Sequence, residues 1–161
     1  MKYLVVGAAL ALLVLLAVWL PRKSVHAELV IDAPAAQIWE VIMDAASYTQ
    51  WNPIFVAVEG TFAEGASMGL SMRLEDGSVT AFEVVVKKLL PEQELHQRAG
   101  FPGILTADHQ WLLEQTPAGT RVIQHEEYRG IGVLFYDPSY VQVSYAEGLA
   151  ALKTRIEGDM Q

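Results

Sequence analysis

Hydrophobic positions along the chain follow three successive patterns, and each predicts a different kind of element. Residues 3–20 ("YLVVGAALALLVLLAVWL") carry no charge. As a helix rising about 1.5 Å per residue, that run spans about 27 Å, close to the thickness of a bilayer core. From "FVAVEGTF" onward the period is two. Five more such runs follow, "SMGLSMRLED", "SVTAFEVVVKKLL", "QELHQRAGF", "TADHQWLLEQ" and "TRVIQHEEY", with turn residues at 63–65, Asp76-Gly77, Pro91-Glu92 and 117–119. Residues 139–160 switch to helical spacing, with Val141, Tyr145, Leu149, Leu152 and Ile156 along one stripe.

Between the first two patterns, "VHAELVI" (residues 25–31) is short and β-branched and reads as a strand. Asp32 then stands at a helix-cap position with Pro34 close behind. "PAAQIWEVIMD" puts Ile38, Trp39, Ile42 and Met43 on one face of a short helix, and "AASYTQW" continues as a second, which Pro53 stops. Trp51, Asn52 and Pro53 form the corner into the next strand, with Asn52 bonding the freed backbone groups. Consecutive strands without helices between them pair antiparallel, and "SMGLSMRL" places Met68, Leu70, Met72 and Leu74 on one covered face. The expected class is α+β: a curved antiparallel sheet of about seven strands wrapped around one long C-terminal helix, with two short helices after the first strand. Where sheet and helix stand apart, they leave a cavity.

Residues 1–23 are read as an N-terminal transmembrane anchor and residues 24–161 as the folded domain. "SVHA" (residues 24–27) offers a small-x-small cleavage ending. The apolar run is longer than the usual ~7–15-residue signal core, however, and cutting after Ala27 would remove half of the first strand, so an uncleaved anchor is the expectation. Orientation stays open, because Lys2 and the amino terminus nearly balance Arg22 and Lys23. Those three belong to the anchor and leave eight Lys and Arg against 19 Asp and Glu. Such an acidic domain repels nucleic acid and anionic lipid. The absence of cysteine removes thiol nucleophiles, Cys-based metal sites and disulfides.

The order of elements, together with "IDAPAAQIWEVIMDAASYTQWNP", "GFPG", "HQWLLEQ" and "GTRVIQHEEYRG", resembles the START/Bet v 1-like superfamily, and within it the polyketide cyclase/dehydrase-like, or SRPBCC, branch. The likeness covers about residues 24–161. It implies a helix-grip fold whose sheet and last helix enclose a deep, mostly apolar pocket for lipids, sterols, polyketides and similar molecules, without a cofactor. It implies no particular reaction, since this fold serves carriers and cyclases alike.

Candidate site residues are weighed on that frame. "GASMG" (residues 65–69) fits the G-x-S-x-G pattern of serine hydrolases but lies between two strands, where the glycines serve a turn and Ser67 starts a strand. His96, His109 and His125 fall on three successive strands, and a zinc site would need all three on one face. Periodicity alone leaves the phase of the last strand open. The resemblance places Val122, Gln124, Glu126 and Tyr128 inward with His109, Trp111 and Leu113, and turns His125 outward. In the family a histidine often occupies the position of Gln124, and the change puts an acid–base role there in doubt. His109 and Glu126 become inward neighbours, either an acid–base pair or partners in a buried hydrogen bond that anchors a ligand's polar end.

The expected pocket wall is Trp51, Met68, Leu70, Met72, Phe82, Val84, Trp111, Tyr128, Tyr145 and Leu149, with Phe101 of "GFPG" on an entrance loop. The leading expectation is a membrane-tethered carrier or sensor that binds a hydrophobic small molecule (lipid, polyketide or isoprenoid-like), with membrane contact through residues 3–20. A cyclase/dehydratase-like enzyme using His109, Glu126 and Tyr128 is the first alternative. A protein-interaction module with a filled core is the second. No metal and no nucleic acid is expected, and no protein partner is indicated.

Overall fold

The computed structural model describes residues 2–19 and 21–158. Leu20, at the end of the expected anchor, and Met160, in the expected last helix, lie outside the described residues. The apolar N-terminal run forms α1, Lys2–Trp19. The expected transmembrane anchor is not supported by the structure: among the described residues, no helix is long and apolar enough to cross a membrane.

The first strand, β1 (Arg22–Ile31), begins three residues before the β-branched stretch, because its pairing with the last strand runs on to Arg22 opposite Arg129. Helix α2 (Ala35–Met43) buries Ile38 and Ile42 completely and Trp39 almost so. Asp32 does not cap it. Pro34 occupies the cap position with an extended backbone and no side-chain bond, and the Asp32 backbone N–H donates instead to Glu157 Oε1 at 3.3 Å. A 3-10 turn (Ala45–Ser47) and α3 (Tyr48–Trp51) follow. At the corner Asn52 Oδ1 accepts from the backbone N–H of both Ile54 and Phe55, each at 2.9 Å, so the two backbone donors after Pro53 are satisfied.

Strands β2 (Phe55–Glu59), β3 (Ser67–Arg73), β4 (Val79–Leu90), β5 (Glu94–Phe101), β6 (Leu105–Thr116) and β7 (Gly119–Arg129) form an antiparallel meander. The sheet order is β1-β7-β6-β5-β4-β3-β2, so the first strand joins the far side of the last. Register irregularities at Phe55/Ala57 and Val86/Lys88 add local bend. Gly119, at φ +115°, makes the tight β6–β7 turn, where a Cβ would come within 2.2 Å of the Ile31 carbonyl oxygen. A 3-10 turn (Ile131–Leu134), which no apolar period announces, leads into α4 (Ser139–Gly158).

Helix α4 does two jobs. Leu149, Leu152 and Ile156, all essentially inaccessible, join Ile38, Ile42, Leu95 and Val122 in the core. Its polar side chains also cover the free edge of β1: Gln142 bonds both the N–H and the C=O of His26, and Lys153 Nζ donates to the Val30 carbonyl at 3.0 Å. An edge strand sealed in this way cannot recruit a strand from another chain. Replacing Leu152 by Ala should lower unfolding stability by about 2–5 kcal/mol. Chemical denaturation checks this, and a loss under about 1 kcal/mol would mean that α4 is not packed as described.

Candidate ligand-binding cavity

Helix α4 comes close to the sheet and the α3–β2 corner at Gly148, where a Cβ would lie 3.7–3.8 Å from Ile54, Asn52 and Gln124. Toward its amino end the helix and the sheet enclose a cavity of about 510 Å³. That volume lies within the ~300–1,000 Å³ range of small-molecule sites. Strand alternation supplies the wall: Phe55 and Val58 from β2, Leu70 and Met72 from β3, Phe82 and Val84 from β4, Gln97 and Ala99 from β5, Trp111 from β6, with Val141 and Tyr145 from α4. A shallower depression bounded by Leu74, Glu75, Asp76, Tyr136 and Tyr140 shares three of these residues with the cavity wall and marks its outer end.

Polar groups gather on β6, β7 and α4. Glu126 Oε2 accepts hydrogen bonds from Tyr128 Oη at 2.5 Å and Tyr145 Oη at 2.6 Å. Burial pushes the Glu126 carboxyl up, the two phenol donors pull it back, and Asp108 nearby pushes it up further. Burial and the Glu126 charge together push both phenols up, so they remain donors across the physiological range. Tyr136, 5.0 Å from Tyr128 between ring centroids, extends the row of phenols toward the outer end.

His109 is the cross-strand neighbour of Glu126 in the β6–β7 register. Its ring packs on Tyr145 at 5.3 Å and on Trp111 at 5.9 Å, and the surface it exposes lines the cavity. Nε2 is buried without a hydrogen-bond partner among the described residues. Burial, and then the positive potential of His96 and His125, push its pKa down to about 3, so the imidazole is neutral at pH 7. The expected His109–Glu126 hydrogen bond is replaced by a Tyr–Glu–Tyr cluster with an unsatisfied imidazole beside it. Tyr145 reaches Glu126 from α4, a long-range contact that strand alternation alone does not reveal.

Of the expected wall residues, Leu70, Met72, Phe82, Val84, His109, Trp111, Glu126, Tyr128 and Tyr145 line the cavity. Met68, Gln124 and Leu149 are buried in the core instead, Gln124 against Gly148 of α4 and Met68 against Gly60 and Gln97. Trp51 is buried, its Nε1 without a hydrogen-bond partner among the described residues, and packs at a tilt on Tyr48 at 4.9 Å; it is Tyr48, its phenol donating to the Ile42 carbonyl at 3.0 Å, that reaches the cavity. Phe101, at the end of β5, is 73% exposed and does not line the cavity.

The sequence reading passed over Gln97 and Ala99, although the alternation of β5 puts them on the face of buried Leu95, and over Tyr136, which sits in a stretch without periodicity. Ser67 is exposed at the start of β3, not on a strand-to-helix turn. His96 and His125 face outward, His96 bonded to Asp108 at 2.8 Å and His125 beside His26 at 6.1 Å. Among the described residues no group of three His, Asp or Glu is arranged to hold a metal ion.

Comparison with known proteins agrees with this architecture. Residues 22–157 match the family described as polyketide cyclase / dehydrase and lipid transport. Among solved structures, a Chromobacterium violaceum protein shares 18% identity over 83% of this chain and 96% of its own, with a TM-score of 0.69. The di-domain ARO/CYC protein BexL of the BE-7585A biosynthetic pathway shares 21% over 84% of this chain and 50% of its own, TM-score 0.67. The di-domain ARO/CYC protein StfQ of the steffimycin pathway shares 12% over 87% of this chain and 52% of its own, TM-score 0.71. At these identities the likeness is one of fold. No curated protein is significantly similar to the chain.

The His109 pKa carries a stability signature. The ring is held neutral in the folded state but takes up a proton from about pH 6.5 downward once unfolded. Its stabilising contribution is therefore complete above pH 6.5 and is lost as pH falls toward 3. Denaturant midpoints at pH 7, 5 and 4 should fall more steeply in the native protein than in His109→Gln. Parallel profiles would show that the imidazole is not sequestered.

Proposed function

Because the chain belongs to the polyketide cyclase/dehydrase and lipid transport family, we propose that it binds a hydrophobic small molecule, of the lipid, polyketide or isoprenoid kind, between the sheet and α4, and acts as a carrier or sensor. One observation carries this reading: a cavity of about 510 Å³ walled by aliphatic and aromatic side chains, with its hydrogen-bonding groups gathered around Glu126. An apolar body is favoured by burial at roughly 25 cal/mol per Å². A ligand hydroxyl or carbonyl would then meet the polar groups of the wall, Glu126, Tyr128 and Gln97 among them.

The same cluster supports a second reading, a cyclase/dehydratase-like enzyme in which Glu126 and Tyr128 act on a carbonyl compound beside His109. Against proton transfer by His109 stands its pKa of about 3, which makes it a weak base and leaves no proton to donate at pH 7. The fold likeness to the di-domain ARO/CYC proteins BexL and StfQ favours the enzyme reading. The cavity counts against a filled-core interaction module.

Membrane association through residues 3–20 is part of the proposal and rests on the uncharged sequence of that run. Ligands of this class partition into bilayers, so attachment there would raise the local concentration of the cavity near its supply.

Ala107 lines the cavity, and Ala107→Trp should fill it. Uptake of the neutral fluorophore N-phenyl-1-naphthylamine should fall at least tenfold while the far-ultraviolet circular dichroism is kept. Unchanged uptake would place binding elsewhere. In Glu126→Gln and His109→Gln, a carrier keeps probe uptake with any change confined to affinity for oxygenated ligands. An enzyme would lose turnover and keep binding.

A further inference from the structure

The exposed apolar side chains of the folded domain are gathered at one end. Antiparallel order brings the start of β1, the β3–β4 turn, the β5–β6 turn and the β7–α4 connection to the same end of the sheet. Six of the large hydrophobics exposed outside α1 lie there: Val79 (53%), Phe101 (73%), Ile104 (62%), Ile131 (43%), Leu134 (62%) and Phe135 (89%). The opposite end, with the β4–β5 and β6–β7 turns, has nothing comparable among the described residues, where Leu90 reaches 39%. Scattered apolar exposure is ordinary, but clustering at the mouth of an apolar cavity is not.

The cluster is built rather than loose. Gly132 N–H donates to the Ile104 carbonyl at 2.7 Å and Ile131 N–H to the Gly103 carbonyl at 3.3 Å, so the two loops that carry these side chains are bonded to each other. The carbonyl of Pro21, the residue before β1, accepts from Gly130 N–H at 3.3 Å, which fixes the chain's entry into the domain at this rim. Lys23 Nζ donates to the Tyr136 carbonyl at 2.6 Å beside it. The apolar helix α1, with Tyr3, Val5, Val6, Leu12, Leu13 and Val14 all more than half exposed, therefore leads into the same end of the domain as the cavity mouth.

We propose that this rim docks on the surface of a lipid bilayer, with Phe101, Ile104, Leu134 and Phe135 inserted to the level of the acyl boundary, so that the cavity exchanges ligand directly with the membrane. One medium then covers both apolar surfaces, the rim and α1, that water would otherwise face. The attraction is apolar: Glu75 and Asp76 stand at the same end on the β3–β4 turn, so docking needs no anionic lipid and proceeds on zwitterionic bilayers. The proposal rests on the hydrophobic-ligand reading, since a mouth opening on a bilayer serves only a molecule that partitions there.

The chain has no cysteine, so single labels are clean. The full chain carrying Phe135→Cys, Ile104→Cys or, at the opposite end, Ala118→Cys is labelled with a nitrobenzoxadiazole dye and mixed with phosphatidylcholine vesicles, with and without doxyl-labelled lipid. All three positions are exposed, so the fold is expected to survive, and circular dichroism checks it. Docking predicts blue-shifted emission and several-fold stronger nitroxide quenching at 104 and 135 than at 118. Equal quenching at all three on protein that floats with the vesicles would overturn docking and leave attachment through residues 3–20 standing. Failure to float would overturn both. Shielding of 104 and 135 without lipid, rising with protein concentration, would overturn it in favour of a second copy of the chain. Failure of the ligand reading itself would show in probe uptake, which these labels do not measure.

Discussion

Everything in this domain depends on how α4 is fixed across the sheet, packed into the core along its carboxyl half. Leu149, Leu152 and Ile156 are packed into the core, and Gly148 lets the helix come within contact of Ile54, Asn52 and Gln124. Each core leucine contributes on the order of 2–3 kcal/mol of burial, enough for a few of them to hold a 20-residue helix in place. Toward Val141 and Tyr145 the same helix borders the cavity, with Tyr145 reaching across to Glu126 and His109. The side chains of Gln142 and Lys153 close the β1 edge along the helix, so the wedge is held open by packing behind it and hydrogen bonds beside it.

The chemistry of the cavity follows from what the wedge buries. A carboxylate in apolar surroundings is costly unless it is given donors, and Glu126 receives two from Tyr128 and Tyr145 on different elements. His109 receives none at Nε2 and answers by staying neutral. A carboxyl held by two phenols, beside an imidazole that burial keeps neutral, is an arrangement suited to holding the polar group of a ligand. It fits recognition better than proton shuttling, because a group titrating near 3 is poorly matched to chemistry at pH 7.

Much of this was legible in the amino-acid order. Alternation in β3 and helical spacing in α4 gave the layers, and the family likeness set the phase of β7, with Gln124, Glu126 and Tyr128 inward and His125 outward. What escaped was geometry that periodicity does not carry. Met68, Gln124 and Leu149 are core while Leu70 and Tyr145 are cavity wall, although all share equally good inward patterns. Asp32 looked like a cap, but Pro34 already sets the helix entry, and Asp32's backbone amide is bonded to Glu157, 125 positions away. The rim at 131–135 had no period to read. The membrane expectation for residues 3–20 came from hydropathy alone, and the fold neither needs nor supports it.

The central claim is that the wedge holds a hydrophobic molecule rather than empty space. Native mass spectrometry of the full chain, released gently from detergent and compared with its denatured mass, tests this most directly. The account predicts a reproducible non-covalent mass that is retained by the native protein, is lost on denaturation and is absent from Ala107→Trp. A native mass equal to the denatured mass, together with no uptake of added lipids, polyketides or isoprenoids, would contradict it.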